Sequence, residues 1–583
     1  MQLSGLEVLV VDCQTTGATP AHGVVLEIGW GVACAGQGSA VRQVESHWIT
    51  LPEGHRVPGP VRRLTGFDPQ QVTATLAASE AWQRLRASVS AREQVPTAIH
   101  FAQFELAFLQ DWARQYAPAE PFPLDVVCVH AIACRLFPDL PRRSIRALAG
   151  FLGHSLELER RCHGHVEATA FIWNKLADEL GRRGVHTWPE LREWLAAPRP
   201  ARSSKRRFPL ASAKYRALPD EPGVYRFLRS NGDILYVGKA ASLRKRVASH
   251  FTAGSATTER ALEMLTQVHE IRVTPTATAL EAALLENEEI KASDPPYNIQ
   301  LLDGDRNTWF FDRSLGSVAA AADEQHRRGP LPSTQSVRAL WALRALGRGE
   351  PPTLALRARA VGTLERWAPD AAVFELGYQH FLQRHSLQRH GLQRHGLIRH
   401  GLQQHGLERH GLSNGLSEDV DRRWLLLARE LLAAGPEEVA ASAEEPASGK
   451  LGSWDSDRVV RHLERGLAHA HQLLQRARWL CLIHDSHVEF QEAGSDRSRW
   501  FSIRAGRISD ARDRAAEAAL DAPLPYRSLA ERQAGFDRSQ YDRLRTLTSE
   551  LKRVLRDGGS VRIRIGRRRW LEASALQAGL RWI

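Results

Sequence analysis

The sequence predicts an α/β protein of several domains that runs on into a mostly helical, partly low-complexity region and an α+β tail. Three observations predict it. The chain has 583 residues, which at about 150 residues per domain allows three to four. Its composition, 43% hydrophobic and 25% charged, supports folded cores rather than wholesale disorder. In the first half of the chain, short apolar runs bounded by turn residues alternate with stretches of helical periodicity, the pattern of α/β units. Lys and Arg number 78 against 66 Asp and Glu, a formal charge of +12, which favours a polyanionic partner and nucleic acid first. No stretch approaches the ~18 uninterrupted apolar residues of a membrane span, and Glu7 and Asp12 break the opening apolar run. A soluble cytoplasmic protein without a membrane partner is expected. The six cysteines (13, 34, 128, 134, 162 and 481) lack zinc-type spacing and are too few for a disulfide scaffold of this size.

Taken in order, Leu6 to Asp12 is an apolar strand ending in an acid, Thr15-Thr16-Gly17 a turn, and Val24 to Trp30 a second strand. Helical patterns follow at 78–89, 105–116, 144–152 and 166–180, so a first domain is expected over 1–195. A basic linker, 196–210, comes next. Between Arg199 and Arg216 there are seven Lys or Arg and no acid, and Lys205, Arg206 and Arg207 read either as a segment lying near phosphates or as a solvated tether. A second α/β unit is expected over 211–305. Its strands are Gly223–Phe227 and Ile234–Val237 around an Asn231-Gly232-Asp233 turn, followed by a basic helix from Leu243 and a helix Leu280–Lys291 with a capping box from Thr278 and Glu281.

Residues 306–380 read as helical and carry no nameable chemistry. From Leu382 to Leu412 a five-residue unit, Leu-Gln-Arg-His-Gly with variations, spaces His385, His390, His395, His400, His405 and His410 evenly. Five residues turn a helix by about 500°, so successive histidines share no face, and the recurrent Gly opposes helix formation. This reads as an expanded repeat in a tolerant loop rather than a metal site, and 381–450, with its acidic Ala- and Pro-rich end at 436–448, as a disordered linker. Over 451–583 strand and helix patterns return, with a DNA-binding role in view. Val561 to Ile565 alternates by two, putting Arg562 and Arg564 on one strand face ahead of Arg567, Arg568 and Arg569. That is a phosphate-facing edge or an ordinary solvated one.

The chemistry concentrates in the second unit. Gly223-Val224-Tyr225 and Tyr236-Val237-Gly238 lie on adjacent strands and bring two tyrosines together. Lys239, Arg244 and Arg246 follow, then His250 one turn beyond Arg246, and later Glu286 and Asn298. Hydrolysis of a phosphodiester needs a base for water, a metal to offset charge on the phosphate and leaving oxygen, and a cation for the transition state. This set supplies each part. Glu286 borders an apolar stripe of Leu280, Ala283, Leu284 and Ile290, the setting of a partly shielded ligand rather than of a surface carboxylate.

Leu218-Pro-Asp-Glu-Pro-Gly-Val-Tyr225, Leu235-Tyr-Val-Gly-Lys-Ala240, Leu243-Arg-Lys-Arg-Val247 and Ser249-His-Phe251, then Glu281-Ala-Ala-Leu-Leu-Glu286, Ile290-Lys291 and Pro296-Tyr-Asn298, closely resemble the GIY-YIG nuclease domain of UvrC. The resemblance implies that Glu286 ligates one divalent ion, Mg2+ or Mn2+, and that Tyr225 or Tyr236 takes part in activating water. It further implies that Arg246 stabilises the pentacovalent phosphate and that Lys239 and Asn298 orient the site; Arg244 and Lys245, on the basic helix, are expected to bind DNA. Where UvrC commonly has a tyrosine this chain has His250, as the shorter homologue Cho is expected to have. A histidine also accepts a proton. Glu281 is read as a helix cap.

The first unit resembles the DnaQ-like 3′-5′ exonucleases, including the epsilon proofreading subunit, whose fold is RNase H-like. The residues that carry this are Asp12, Thr15-Thr16-Gly17, Leu26-Glu27-Ile28-Gly29, Leu64-Thr65-Gly66 and the run from Asp125-Val126 to Phe137-Pro138. Those enzymes hold two metals with four carboxylates, and here the set is broken. Asp-x-Glu reads Asp12-Cys13-Gln14, and His-Asn-x-x-Phe-Asp reads His100-Phe101-Ala102-Gln103-Phe104-Glu105. The Asp expected before Val/Ala-x-Ala-Thr is His165, ahead of Val166-Glu167-Ala168-Thr169. Only Asp12 stands, with Glu105 a longer substitute. Two Mg2+ ions need oxygen ligands and charge neutralisation, so the expectation is a catalytically dead or feeble domain kept for DNA binding or docking. A different metal site built from His163, His165 and Glu167 is the competing reading.

A DnaQ-like domain followed by a UvrC-type GIY-YIG domain resembles a known bacterial fusion, and Phe536-Asp-Arg, Tyr541-Asp-Arg-Leu-Arg545 and Leu551-Lys-Arg553 look like the tail of such fusions. No cysteine lies between Cys162 and Cys481, so the cysteine cluster of UvrC is not expected, and no second incision site is recognisable. The implied function is a metal-dependent DNA endonuclease that makes one nick, 3′ to a lesion held by UvrA and UvrB in nucleotide excision repair. A 3′-5′ DNA exonuclease and a noncatalytic DNA-binding scaffold are the alternatives.

Overall fold

A computed structural model describes residues 2–34, 41–88, 95–154, 161–198, 207–252, 258–298, 307–385, 427, 454–509, 512–513, 524, 527–565 and 570–571. The chain divides into two compact units, Met1–Leu302 and Asp303–Ile583.

The first unit opens with a five-stranded sheet of β1 (Glu7–Thr15), β2 (Val25–Cys34), β3 (Arg42–Trp48), β4 (Val95–Ile99) and β5 (Leu124–Cys128), in the order β3-β2-β1-β4-β5. β1 pairs antiparallel with β2 and parallel with β4. It is apolar on both faces because both are covered. Val8 and Val10 join one core with Val166, Ala170, Trp173 and Leu176, while Leu9 and Val11 join another with Trp82, Phe108 and Trp112. The helices are α1 (Gly59–Thr65), α2 (Ala78–Ala87), α3 (Ala102–Tyr116), α4 (Val129–Leu136), α5 (Ile145–Phe151), α6 (Cys162–Arg182) and α7 (Trp188–Ala196). Order and strand directions are those of an RNase H-like fold. Side chains alternate along a strand, so Asp12 follows Val8 and Val10 toward the N-terminal end of α6. That helix begins at Cys162, one turn before its apolar periodicity does.

The same unit continues with α8 (Ser212–Arg216), β6 (Gly223–Leu228), β7 (Ile234–Ala240), α9 (Leu243–His250), α10 (Glu259–Gln267), β8 (Glu270–Pro275) and α11 (Ala279–Ser293). The three strands form an antiparallel sheet in the order β7-β6-β8. β8 and α10 have no counterpart in the sequence reading. β8 is a half-exposed edge strand with Glu270 and Arg272 paired along it, so it shows no apolar alternation. Of the basic linker, Lys205 and Arg206 lie outside the described residues, and the Arg207 N–H donates to the Asp139 carbonyl at 3.1 Å.

In the second unit, residues expected to be helical first form a small antiparallel sheet, β9 (Trp309–Phe311), β10 (Val318–Ala319) and β11 (Arg328–Leu331). Strands of two to four residues are too short for a two-residue alternation to register. Helices α12 (Arg338–Gly347), α13 (Leu354–Val361), α14 (Ala371–Arg384) and α15 (Ser456–Ile483) follow and share one core through Leu343, Phe374, Phe381 and Leu463. Of the repeated histidines only His385 is described, held at 2.8 Å by Glu464; the other five lie outside the described residues. The last sheet contains β12 (Ser486–Gln491), β13 (Arg499–Arg504), β14 (Arg507–Ile508), β15 (Arg512–Asp513), β16 (Ser560–Ile565) and β17 (Trp570–Leu571), with α16 (Leu529–Ala534) and α17 (Arg538–Arg556) before β16.

The alternation read over Val561–Ile565 is present, with Val561 and Ile563 buried. The edge is not. β16 lies between β12 and β17, Arg562 pairs with Glu489, and Arg562 and Arg564 both lie over the Trp570 ring. Arg567, Arg568 and Arg569 lie outside the described residues. Among the described residues, no helix is long and apolar enough to cross a membrane.

Candidate nuclease site

β6 and β7 meet in a register that sets Tyr225 against Gly238 and Phe227 against Tyr236. The turn between them is the Asn-Gly-Asp element, with Gly232 at φ +91° and the Asn231 side chain accepting from the Asp233 N–H at 3.1 Å. Gly238 is required by close approach: a Cβ there would fall 2.6 Å from the Tyr225 hydroxyl and ring. Tyr225 therefore lies across β7, its ring 6.0 Å from that of Tyr236. α9 brings in the rest. Its N-cap Ser242 accepts from the Lys245 N–H, and its last residue, His250, places Nε2 2.7 Å from the Tyr225 hydroxyl. Phe227 packs edge-on against the same imidazole.

Glu286 enters from α11, whose start is fixed by the Thr278 hydroxyl accepting from the Glu281 N–H. Glu286 Oε1 accepts from the Lys239 backbone N–H at 3.0 Å, which aims the carboxylate at the end of β7. The buried stripe of the helix is Leu280, Ala282, Ala283, Asn287 and Ile290. Leu284, expected in it, is only half-buried, and the polar Asn287 hides the true period from a hydrophobic reading. Asn298 clamps the other side of β7, accepting from the Val237 N–H at 3.0 Å and donating to its carbonyl at 2.9 Å.

The electrostatics follow from these placements. Burial, and then the negative charge of Glu286, push the Tyr236 hydroxyl up. Burial and then Tyr236 push Tyr225 up, with Arg246 acting against the rise. Burial, and then the charge of Arg246, hold the His250 imidazole down at about 4. One carboxylate and one exposed guanidinium thus flank two protonated tyrosines and a neutral imidazole. Arg244 is exposed and paired with Asp220 at 2.7 Å, with Lys245 beside it at 4.0 Å.

In the RNase H-like domain the remaining acids are occupied by protein groups. Asp12 Oδ2 lies 3.1 Å from His165 Nδ1. Burial lowers that imidazole, but the charge and hydrogen bond of Asp12 outweigh it, and the net direction is up. Glu105 accepts from the Cys13 N–H at 2.9 Å and is pushed well up by burial and then by Asp12. Glu27, fully buried, receives Arg161 Nε at 2.6 Å, the Ser46 hydroxyl at 2.7 Å and the Cys162 N–H at 3.2 Å. Sequence reasoning missed this carboxylate as a site group; its signal was an acid inside the apolar run Val25–Trp30. His163 and Glu167 meet at 3.5 Å on the exposed face of α6, whereas His165 points at Asp12. The three do not form a site, because residues 163 and 167 share a helix face that 165 does not.

Residues 221–299 match the family model of the UvrC-like GIY-YIG domain. This segment is a UvrC-like GIY-YIG domain. A provisionally named bifunctional exonuclease/endonuclease protein of Mycobacterium tuberculosis is 31% identical over 309 residues, covering 51% of this chain and 45% of that protein. UvrABC system protein C of Alkalilimnicola ehrlichii is 42% identical over 130 residues, 21% of each chain. The matched stretch spans less than half the length of these curated relatives. Among solved structures, the GIY-YIG N-terminal endonuclease domain of UvrC from Thermotoga maritima, bound to its catalytic divalent cation magnesium, is 32% identical, covering 15% of this chain and 93% of that one, with a TM-score of 0.14.

The donor set of the GIY-YIG domain fits a hard divalent ion that keeps most of its waters. It offers one half-buried carboxylate, Glu286, already oriented by the Lys239 N–H, and Mg2+ is commonly held by one or two carboxylates with waters and substrate phosphate completing the shell. Among the described residues no cluster of three or more His, Cys, Asp or Glu is arranged to hold a metal.

Two measurable consequences arise here. Gly238→Ala drives a methyl into the Tyr225 and Tyr236 rings, so we expect about 1–3 kcal/mol of destabilisation and displacement of Tyr225 from His250, read as a lowered Tm together with lost activity. The second is a pH dependence. In the unfolded chain His250 takes up its proton near 6.5, but in the fold only near 4. Its contribution is constant above about pH 6.5 and stability is lost as pH falls from there to about 4, on the order of 3 kcal/mol in all. Buried His100, held down to about 4 chiefly by burial, acts in the same window. Denaturant midpoints at pH 7.5 and 4.5 should therefore converge more closely in His250→Gln than in the wild type.

Proposed function

We propose that the chain is a metal-dependent DNA endonuclease of the UvrC/Cho type, and that its GIY-YIG domain cuts one phosphodiester per catalytic event. The observation that carries this reading is the convergence on the end of β7 of Glu286, held by the Lys239 N–H, with the Tyr225–His250 pair at 2.7 Å. A divalent ion, Mg2+ as in the T. maritima domain, would sit on Glu286 and offset charge on the phosphate and the leaving oxygen. The neutral His250 accepts the Tyr225 proton as Tyr225 takes one from the attacking water, so no free hydroxide is needed at neutral pH. Tyr236, next to Glu286, orients that water. Arg246 supplies positive charge where the phosphate gains negative charge, while Lys239 and Asn298 fix β7. Arg244 and Lys245 line the approach of the DNA backbone, and Arg207 lies on the segment leading to it.

The homology to UvrABC system protein C supports a place in nucleotide excision repair, with UvrA and UvrB presenting the damaged duplex and the nick falling 3′ to the lesion. End-labelled duplex with one bulky lesion, incubated with Mg2+ and the full chain, tests this. A nick 3′ to the lesion that strengthens at least tenfold when UvrA and UvrB are added is expected; cutting indifferent to the lesion and to both proteins would remove the repair assignment and leave a structure-directed nuclease.

The RNase H-like domain is proposed to be inactive as an exonuclease. Two metals require carboxylates free to bind them, and here Asp12 faces His165 while Glu27 is engaged by Arg161. In the full chain carrying Glu286→Ala we expect no 3′ ladder with either Mg2+ or Mn2+.

A further inference from the structure

The RNase H-like domain meets the GIY-YIG domain through a chain of polar contacts that ends on β7. Ser144, the N-cap of α5, donates to Glu263 Oε2 on α10 at 3.0 Å, and Arg146 approaches Glu263 Oε1 at 3.7 Å. That same Oε1 accepts the hydroxyl of buried Tyr297 at 2.9 Å, and the hydroxyl in turn accepts from Gln267 Nε2 at 2.6 Å. Gln267 is fully buried, and its Oε1 takes Arg229 Nε at 3.1 Å. The two helices are in close contact: a Cβ on Gly150 of α5 would fall 1.9 Å from Gln267 Oε1. Phe151 stacks on His269 just beyond, with ring centroids 5.6 Å apart.

Tyr297 is the residue that passes this order on. Its N–H donates to the Leu235 carbonyl at 3.1 Å, and the next residue, Asn298, makes both hydrogen bonds to Val237. Together they cover the open edge of β7, the strand that carries Tyr236, Gly238 and the Lys239 N–H holding Glu286. A buried hydroxyl is costly to leave without its partners, so the Tyr297 position depends on Glu263. The Glu263 carboxylate in turn is held from the other domain.

We propose that the RNase H-like domain is a brace for the nuclease site: Ser144 and Arg146 fix Glu263, Glu263 and Gln267 fix the Tyr297 hydroxyl, and Tyr297 sets Asn298 on β7. All of these are positioning residues, since none touches the reacting phosphate. This gives a domain with disabled acids a mechanical reason to be kept. The consequence for catalysis rests on the endonuclease reading above; the mechanical claim does not.

The test uses the full chain with Ser144→Ala/Arg146→Ala, Ser144→Thr/Arg146→Lys and Tyr297→Phe, the last retaining the ring so that packing survives. Hydrogen exchange of the segment 234–240 is measured by mass spectrometry, and kcat and KM for nicking are measured separately. In the double alanine variant and in Tyr297→Phe, 234–240 should exchange about tenfold faster. Their kcat should fall three- to tenfold at unchanged KM, and the Thr/Lys variant should stay within twofold of wild type in both. Unchanged exchange at 234–240 in both disrupted variants would overturn the brace. Faster exchange with unchanged kcat would overturn its role at the site. If the wild type shows no Glu286-dependent nicking, the endonuclease reading fails while the exchange result still decides the brace.

Discussion

Glu286→Ala should abolish nicking, lowering the rate about 1000-fold or more, while DNA affinity at fixed salt changes less than about threefold. The asymmetry follows from the geometry. Glu286 is the carboxylate whose Oε1 is held by the Lys239 N–H at the end of β7, and a metal there is worth several kcal/mol of transition-state charge stabilisation, each 1.36 kcal/mol being a factor of ten. Affinity for a duplex is dominated by cations on phosphates, and those remain. Removing the acid also removes the negative charge that pushes Tyr236 up, so the Tyr236 hydroxyl should titrate at lower pH in the variant, a spectroscopic readout independent of cutting. Glu286→Gln keeps the hydrogen-bond acceptor for Lys239 and should be as inactive as the alanine variant. Recovery of cutting in Glu286→Gln would mean the carboxylate orients β7 rather than binding an ion.

Arg246→Ala carries the second largest expected effect, a loss of about 100- to 1000-fold in kcat, the range for removing one preorganised donor from a developing oxyanion. Its positive charge bears on Tyr225, Tyr236 and His250 alike. With Arg246 gone, the His250 imidazole loses one of the two causes that hold it down and should titrate at higher pH, which NMR of the imidazole can follow. Arg246→Lys restores the charge without the planar fork and should recover part of kcat and most of the His250 shift. A variant that loses affinity uniformly, with kcat intact, would place Arg246 on the DNA backbone instead.

The parts of this site legible in the sequence are those carried by local pattern. The Asn231-Gly232-Asp233 turn sets the β6–β7 register and so places Tyr225 beside Tyr236. Thr278 caps α11 and sets the phase that puts Glu286 beside a buried stripe. What pattern could not carry is contact between distant residues. Glu27 stands within a strand motif, yet its partners Arg161 and Cys162 lie at the N-terminal end of α6, more than 130 residues away, so no local pattern reveals its ion pair. Tyr297 is legible as part of Pro296-Tyr-Asn298, but its hydroxyl partners Glu263 and Gln267 lie on α10, a helix that no pattern in the sequence announces. The half-exposed β8 and the strands β9 to β11 leave no mark in the sequence, because charge pairs or brevity erase the two-residue alternation.

On the proposed reading, one metal-dependent nicking centre, at Glu286, does the chemistry and the RNase H-like domain does none. The direct measurement is a product map of a single duplex, labelled in parallel at its 5′ and 3′ ends, cut by the wild type and by Glu286→Ala in Mg2+. A discrete pair of fragments that disappears in Glu286→Ala is the predicted result. A ladder shortening from the 3′ end that survives Glu286→Ala would contradict it and move the active centre to Asp12 and its neighbours.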